Sequence, residues 1–416
     1  MKNTKKYGAL FLAAVILMGA AGCATAKAAG LMDGISPKSA SSRPADDAFI
    51  GSMADFSVAL FKQSVSEMMT RQQNILVSPL SVTLALAMTA NGADGETLAQ
   101  METLLGGGIP LAALNEYLLG YAGKLPSGDK SKLSLANAVW FRDTSELRVK
   151  PDFLQKNADY YGAAAYKSAF DAGTVKEING WVKDNTGGLI TEILRDIDKA
   201  DMLYLINTVL FDAEWQSVYY KENVRKDGFT GNGGKVSNVD FMHSNEYLYL
   251  EDELAAGFIK PYVGGAYSFA ALLPNEGVSV EDYIQSLTGG AFLDIIGNAQ
   301  ETLVYASMPK FQYDCSLEMN DTLKALGIPD AFAAEKADFS KMADYPGGLY
   351  ISQVLHKTFI SVDELGTKAG AATMVAMAGA GAPMEPKTVR LDRPFVCAII
   401  DNATNLPLFL GAVITV

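Results

Sequence analysis

Histidine and cysteine are scarce in this chain: two of the first, His243 and His356, and three of the second, among 416 residues. A structural zinc site needs four such ligands at short spacing, and Cys315 and Cys397 stand too far apart for a CxxC pair or a disulfide framework. Both lie near apolar strand-like runs and read as buried free thiols. Positive charge is also short. Lys and Arg number 34 against 47 Asp and Glu, a formal net charge of −13, which argues against the clustered basic surface that nucleic acid or an anionic membrane selects.

The usual catalytic signatures are missing too: no GxSxG, HExxH, GxGxxG or Walker loop occurs. Two SxxK matches, Ser127 to Lys130 and Ser307 to Lys310, lack the SDN and KTG companions of that pattern. A Ser-His-Asp triad would have to use His243 or His356, and both are flanked by strand-like sequence, where a buried structural histidine is the plainer reading. Glu251-Asp252-Glu253 reads as a solvated acidic turn rather than a cation site. No metal, cofactor or nucleic acid is expected.

What is present is the composition of a folded globular protein, 49% hydrophobic and 19% charged. Lys2, Lys5 and Lys6 precede an apolar run at 9–21 that ends in Ala20-Ala21-Gly22-Cys23. That run is shorter than the roughly 18 to 20 residues of a membrane-spanning helix, so 1–22 reads as a signal peptide. It resembles a bacterial lipoprotein signal, which implies a lipid on Cys23 and attachment at the cell surface or an outer membrane; Ala20 stands where Leu is usual, and plain secretion after Ala26 is the alternative. Residues 23–48, rich in Ala, Gly, Ser, Lys and Pro, then read as a flexible tether. Phe49, Met53, Phe56 and Leu60 follow at helical spacing and open a domain over 49–416.

Within that domain, strand-like runs occur at 202–211, 247–250, 258–262, 267–273 and 303–308, and helical stretches at 175–183 and 319–326. PFVCAII and LFLGAVITV, joined by DNATNLP, predict a hairpin too apolar on both faces to be exposed. One stretch fits none of these patterns. DELGTKAGAATMVAMAGAGAP, at 363–383, is nearly all Gly, Ala, Thr and Met, with no charge after Lys368.

The segments around that stretch resemble the serpin family: NILVSPLSVTLALAMTANGADGET, YLINTVLFDAEW, VYASMPKF, DTLKALGIPDAF, LYISQVLHKTFISVDELGT, RPFVCAII and NLPLFLGAV follow one another in the family's order. The resemblance spans 49–416. It implies an α+β fold, one domain of about nine helices and three β-sheets with an exposed reactive-centre loop at 364–388. It also implies a monomeric inhibitor, not an enzyme. A serine protease cuts the loop and is caught as a covalent acyl-enzyme, while the loop's N-terminal part enters the main sheet as a new central strand. The family's buried polar cluster, where the main sheet must part, maps onto Asn74, Ser78, Ser81, Asn207 and His356, and its tryptophan near the top of that sheet onto Trp215. The hinge motif is matched by Glu364, Gly366, Thr367, Ala369, Ala371 and Ala372; Lys368 and Gly370 depart from it.

A strand alternates faces, so an inserting loop must present every second side chain to the core. From Thr367 that series is Thr367, Ala369, Ala371, Thr373, Val375 and Met377, small or apolar throughout, and Lys368 falls in the outward series. Gly370 costs about 0.5 to 1 kcal/mol in a strand relative to Ala. Counting from Glu364 places the cut between Ala380 and Gly381; counting back from Pro394 and Phe395 places it near Pro383, and the bonds from Met377 to Ala382 stay open. A small residue before the cut suits an elastase-like or subtilisin-like protease. The alternatives are a non-inhibitory serpin with a cleavable surface loop and, more remotely, an SxxK-type surface hydrolase.

Overall fold

A computed structural model describes residues 28–70, 72–367 and 385–416. Its first helix is Asp47–Thr70. An Asp46 carboxylate oxygen accepts the Phe49 amide at 2.9 Å, satisfying one of the donors that a helix N-terminus leaves open. Phe49, Met53, Phe56 and Leu60 are all buried. The next helix, Pro79–Ala90, has no polar face, and every one of its 12 residues is buried. That is the environment an apolar helix requires, and Pro79 sits at its start, where no amide is needed. It touches both Leu203–Glu214 and Pro407–Val413, one strand from each of the two large sheets.

The fold is α+β, with nine α-helices and three sheets among the described residues. The main sheet runs Ala29–Gly30, Ala164–Ser168, Ser131–Arg142, Leu203–Glu214, Gly366–Thr367, Gln353–Val362, Phe311–Glu318. The second sheet runs Lys387–Arg390, Gln300–Pro309, Val236–Glu251, Ala255–Pro261, Tyr267–Pro274, Phe395–Asp401, Pro407–Val413, Ile75–Val77, with Val224–Thr230 paired to Val236–Glu251 off that path. Arg148–Val149 and Ala343–Asp344 form the third. The apolar hairpin is Phe395–Asp401 with Pro407–Val413, buried at every residue. Its turn is closed by the Asp401 carboxylate, which accepts from the Thr404 hydroxyl at 2.6 Å, and by Asn405 at φ 61°. Cys315 and Cys397 are buried and free, and burial pushes their thiols up to about 11 and about 12.

Every strand run expected from the sequence lies in or overlaps an observed strand. Ser131–Arg142 was not legible in that way, because SKLSLANAVWFR changes character along its length. Its first half is half-exposed and its second half is buried on both faces, so no single period runs through it.

Residues 28–46 correct the expectation of a flexible tether over 23–48. Ala29 and Gly30 add a strand to Ala164–Ser168, and the Leu31 amide donates to the Ala165 carbonyl at 2.8 Å. The Ser36 carbonyl accepts from Gln155 at 3.0 Å, and the Lys38 amide donates to Asp159 at 2.7 Å. Arg43 pairs with Glu116, and its amide donates to the Glu116 carbonyl. Helix side chains hold this strap as much as its own apolar residues do, so no hydrophobic period announces it. Residues 1–27, including Cys23, lie outside the described residues.

The strap also explains Gly120. A Cβ there would fall 2.0 Å from the Arg43 carbonyl oxygen, closer than any contact allows. Gly120→Ala is expected to lower the melting temperature by the equivalent of about 1 to 3 kcal/mol, the usual cost of overpacking. It should also expose 36–46 to limited proteolysis below the unfolding transition. Thermal unfolding and mass spectrometry of the cleavage products check both.

Candidate functional site

At the middle of the main sheet, Leu203–Glu214 and Gln353–Val362 lie side by side but pair over only part of their length. They are parallel neighbours from Tyr204 opposite Gln353 to Thr208 opposite Lys357. Beyond that rung they part. At the far end Gly366–Thr367 stands between them, with Gly366 opposite Glu214 and Thr367 opposite both Ala213 and Val362. The sheet is thus zipped at one end and wedged at the other.

A polar cluster sits at the zipped end. His356 and Asn207 face each other across the two strands. His356 Nε2 accepts the Ser78 amide at 3.1 Å, so the ring proton is on Nδ1, 3.1 Å from Asn207 Oδ1. The Ser81 hydroxyl donates to that same oxygen, and Asn207 Nδ2 donates to the Ser81 carbonyl at 2.8 Å and to Asn137 Oδ1 at 2.5 Å. All five residues are buried. The cluster therefore ties the start of the buried helix to the strands that part above it. Burial alone holds the His356 imidazole far below its ordinary value, at about 3.

Sequence reasoning placed Ser78, Ser81, Asn207 and His356 in one cluster, and the structure brings these four together. It missed Asn137, which lies directly opposite Asn207. Asn74 is a correction. Its side chain accepts from the amides of Ile414 at 2.7 Å and Thr415 at 3.0 Å, so it fastens the C-terminal segment instead of joining the cluster.

The wedged end is built around the turn Asp363–Gly366. The Asp363 carboxylate accepts the Leu365 amide at 2.8 Å, and the Asp363 amide donates to the Gly366 carbonyl at 3.0 Å. Trp215, directly after the central strand, binds this turn twice: its amide donates to the Leu365 carbonyl at 2.8 Å and its indole N–H to the Asp363 carbonyl at 2.9 Å. The Tyr219 amide donates to the Glu364 carbonyl at 2.9 Å. Glu364 pairs with Lys310 at 2.7 Å, but both side chains are about one third exposed, so solvent screening leaves the pair a small share of the stability. Thr367 is buried, with its hydroxyl 2.5 Å from that of Tyr262.

Beneath the turn lies a buried ion pair, Lys260 with Glu246 at 2.7 Å, and the Lys260 ammonium stands 4.4 Å over the Tyr219 ring. Burial opposes the charge on Lys260, yet Tyr219 and Glu246 outweigh it and hold its pKa above the ordinary value. A lone ammonium here would be costly; the paired one makes a rigid floor.

Neither SxxK lysine presents itself as a base. Lys130 pairs with Glu214 at 2.9 Å and Lys310 with Glu364. His243 is half-buried at the surface and accepts from Arg225 at 2.9 Å, which corrects the expectation of a core histidine. Among the described residues no three His, Cys, Asp or Glu are placed to hold a metal ion. Ala369, Gly370, Ala371, Ala372, Thr373, Val375, Met377, Ala380 and Gly381 lie outside the described residues.

The buried His356 makes stability depend on pH. Its folded pKa lies below the unfolded value near 6.5, so between those values the unfolded chain binds the extra proton. The contribution is complete above about 6.5 and is lost as the pH falls toward about 3. Melting temperature measured across that window should drop less steeply in His356→Gln than in the unaltered protein, though the variant is less stable at neutral pH. Parallel curves would show that His356 is not the titrating group.

Comparison with known proteins agrees with this architecture. A family model described as "Serpin (serine protease inhibitor)" matches residues 51–416. An uncharacterized serpin-like protein of Thermococcus kodakarensis is 32% identical over 375 residues, 87% of this chain and 84% of that one. The crystal structure of a thermophilic serpin, tengpin, in the native state is 54% identical and superposes with a TM-score of 0.89, over 94% of this chain and all of that one. The latent state of tengpin superposes less closely, with a TM-score of 0.79 at 51% identity over 90% of this chain and all of that one. The chain belongs to the serpin family, a family of protease inhibitors rather than of enzymes.

Proposed function

We propose that this serpin inhibits serine proteases of the elastase-like or subtilisin-like kind as a suicide substrate, exported and held at a cell surface by a lipid on Cys23. The parted pair of central strands, with Gly366–Thr367 standing between their far ends, carries this reading. A strand that enters there finds a sheet edge waiting on each side, and Thr367 already leads into the gap.

The chemistry is what the family resemblance implies for the sequence of this loop. The protease serine oxygen attacks the Ala380 carbonyl, the C–N bond to Gly381 breaks, and the Gly381 nitrogen leaves with a proton as a new N-terminus. The protease remains esterified to Ala380. Freed from Gly381, the segment from Thr367 onward adds to the sheet, its small inward series fitting over the buried helix. Roughly 15 residues at about 3.3 Å each make a strand about 50 Å long, enough to carry the esterified protease across the molecule. Ten or more ladder bonds at about 0.5 to 1.5 kcal/mol each outweigh the cost of Gly370 and rival the whole stability of an ordinary domain. The uncut form is then a kinetic trap.

Three measurements test this. Mixed with pancreatic elastase or subtilisin, the purified protein should give an SDS-stable band of summed mass, with the new N-terminus at Gly381 or a neighbouring residue; cleavage in the loop without such a band, with every serine protease tried, would mean a non-inhibitory serpin. Thr367→Arg should be cut at the wild-type rate but inhibit poorly, because a charge would be forced under the sheet. Metabolic labelling with a tagged fatty acid should mark the protein but not Cys23→Ser, and equal labelling of both would refute the anchor.

A further inference from the structure

Thr367 is the first inward residue of the proposed inserting series, and its side chain carries a hydroxyl into the core. At 2% exposure that hydroxyl must be met or it destabilises the wedge. It is met by Tyr262, 2.5 Å away. Tyr262 is itself fully buried, and its ring is immobilised on two sides: stacked on Trp215 at 4.5 Å and 10°, and edge-on to Phe211 at 5.0 Å and 67°. Its backbone bridges to Trp215 and its amide donates to the Tyr267 carbonyl. The hydroxyl therefore stands at the corner where the second sheet meets the central strand Leu203–Glu214, which carries Phe211 and is followed directly by Trp215.

The geometry points to Tyr262 as the positioning residue for insertion: its hydroxyl seats Thr367 between the central strands before any cleavage, so that the new strand starts from a rung already made. Two buried hydroxyls satisfy each other, and withdrawal of the hinge would strand the Tyr262 hydroxyl in the core. Starting a strand is the slow part of adding one, because chain is ordered before ladder bonds accumulate. An esterified protease escapes if hydrolysis of the ester outruns insertion, and a seated hinge gives insertion the lead. This rests on the inhibitory reading for its consequence, but the seat exists in the uncut protein and is measured without a protease.

The test is a double-variant cycle of Tyr262→Phe and Thr367→Val, each of which removes a hydroxyl and keeps the ring or the branched shape. Hydrogen–deuterium exchange of the uncut protein is followed for the peptides covering 361–367 and 209–214. Each single variant should speed exchange at these amides by roughly two- to tenfold, the equilibrium factor of one ordinary hydrogen bond. The double variant, in which neither hydroxyl is stranded, should return toward wild type instead of showing the product of the two effects. With a protease that the wild type traps, the moles of inhibitor consumed per mole of protease should rise in both single variants and recover in the double, with the association rate unchanged. Exchange unchanged in the single variants, or effects that simply multiply in the double, would overturn the assignment. If no protease is trapped by the wild type, the inhibitory reading falls while the exchange cycle still decides the seat.

Discussion

Two strands that should be neighbours along their whole length are neighbours along only part of it. Backbone amides and carbonyls inside a sheet demand partners, and the easiest way to supply them in the main sheet would be to close Leu203–Glu214 against Gln353–Val362 from end to end. Closure stops at the rung of Thr208 and Lys357 because Gly366 and Thr367 occupy the other end. The cluster at the zipped end, the turn at the wedged end and the ion pair below it all sit where they hold that half-closed arrangement.

The two ends are held by different physics. At the zipped end, His356, Asn207, Ser78, Ser81 and Asn137 join strand to strand and strand to helix by a network of buried hydrogen bonds. Apolar residues in those positions would pack as well but would offer no directional link between the helix and the two strands. At the wedged end, aromatic rings dominate. Trp215 and Tyr262 are locked face to face where one strand of each large sheet meets the other, and the hinge is fastened to that corner by backbone hydrogen bonds. One end is held by exchangeable hydrogen bonds and the other by packed rings.

How much of this was legible depended on whether the signal was local. The buried helix Pro79–Ala90 and the hairpin Phe395–Asp401 with Pro407–Val413 announce themselves, because an unbroken apolar run has few other places to go. The family resemblance and the α+β class follow from the order of such segments. Asn137 and Tyr262 were invisible, since each matters through a residue set opposite it by strand register or sheet packing, 70 and 105 positions away in the chain. Asn74 misled for the same reason: a polar residue beside a cluster in sequence turned out to serve the C-terminus in space. The strap at 28–46 hid behind a composition that signals disorder, because its partners are side chains of helices that its own sequence does not encode.

The anchoring of the segments that flank 368–384 has an evolutionary side. One flank, Gly366–Thr367, is fixed in the main sheet; the other, Lys387–Arg390, is fixed in the second, where it runs parallel to Gln300–Pro309. Each clamp draws its backbone pairing from its own sheet. Under the inhibitory reading proposed above, the chain between the clamps is a cassette whose sequence could change without disturbing the pairing of either flank. On that reading, the inward positions are the ones that constrain what the cassette contains. A lineage meeting a new protease could follow it by rewriting a few codons there, while the rest of the molecule stays under separate selection.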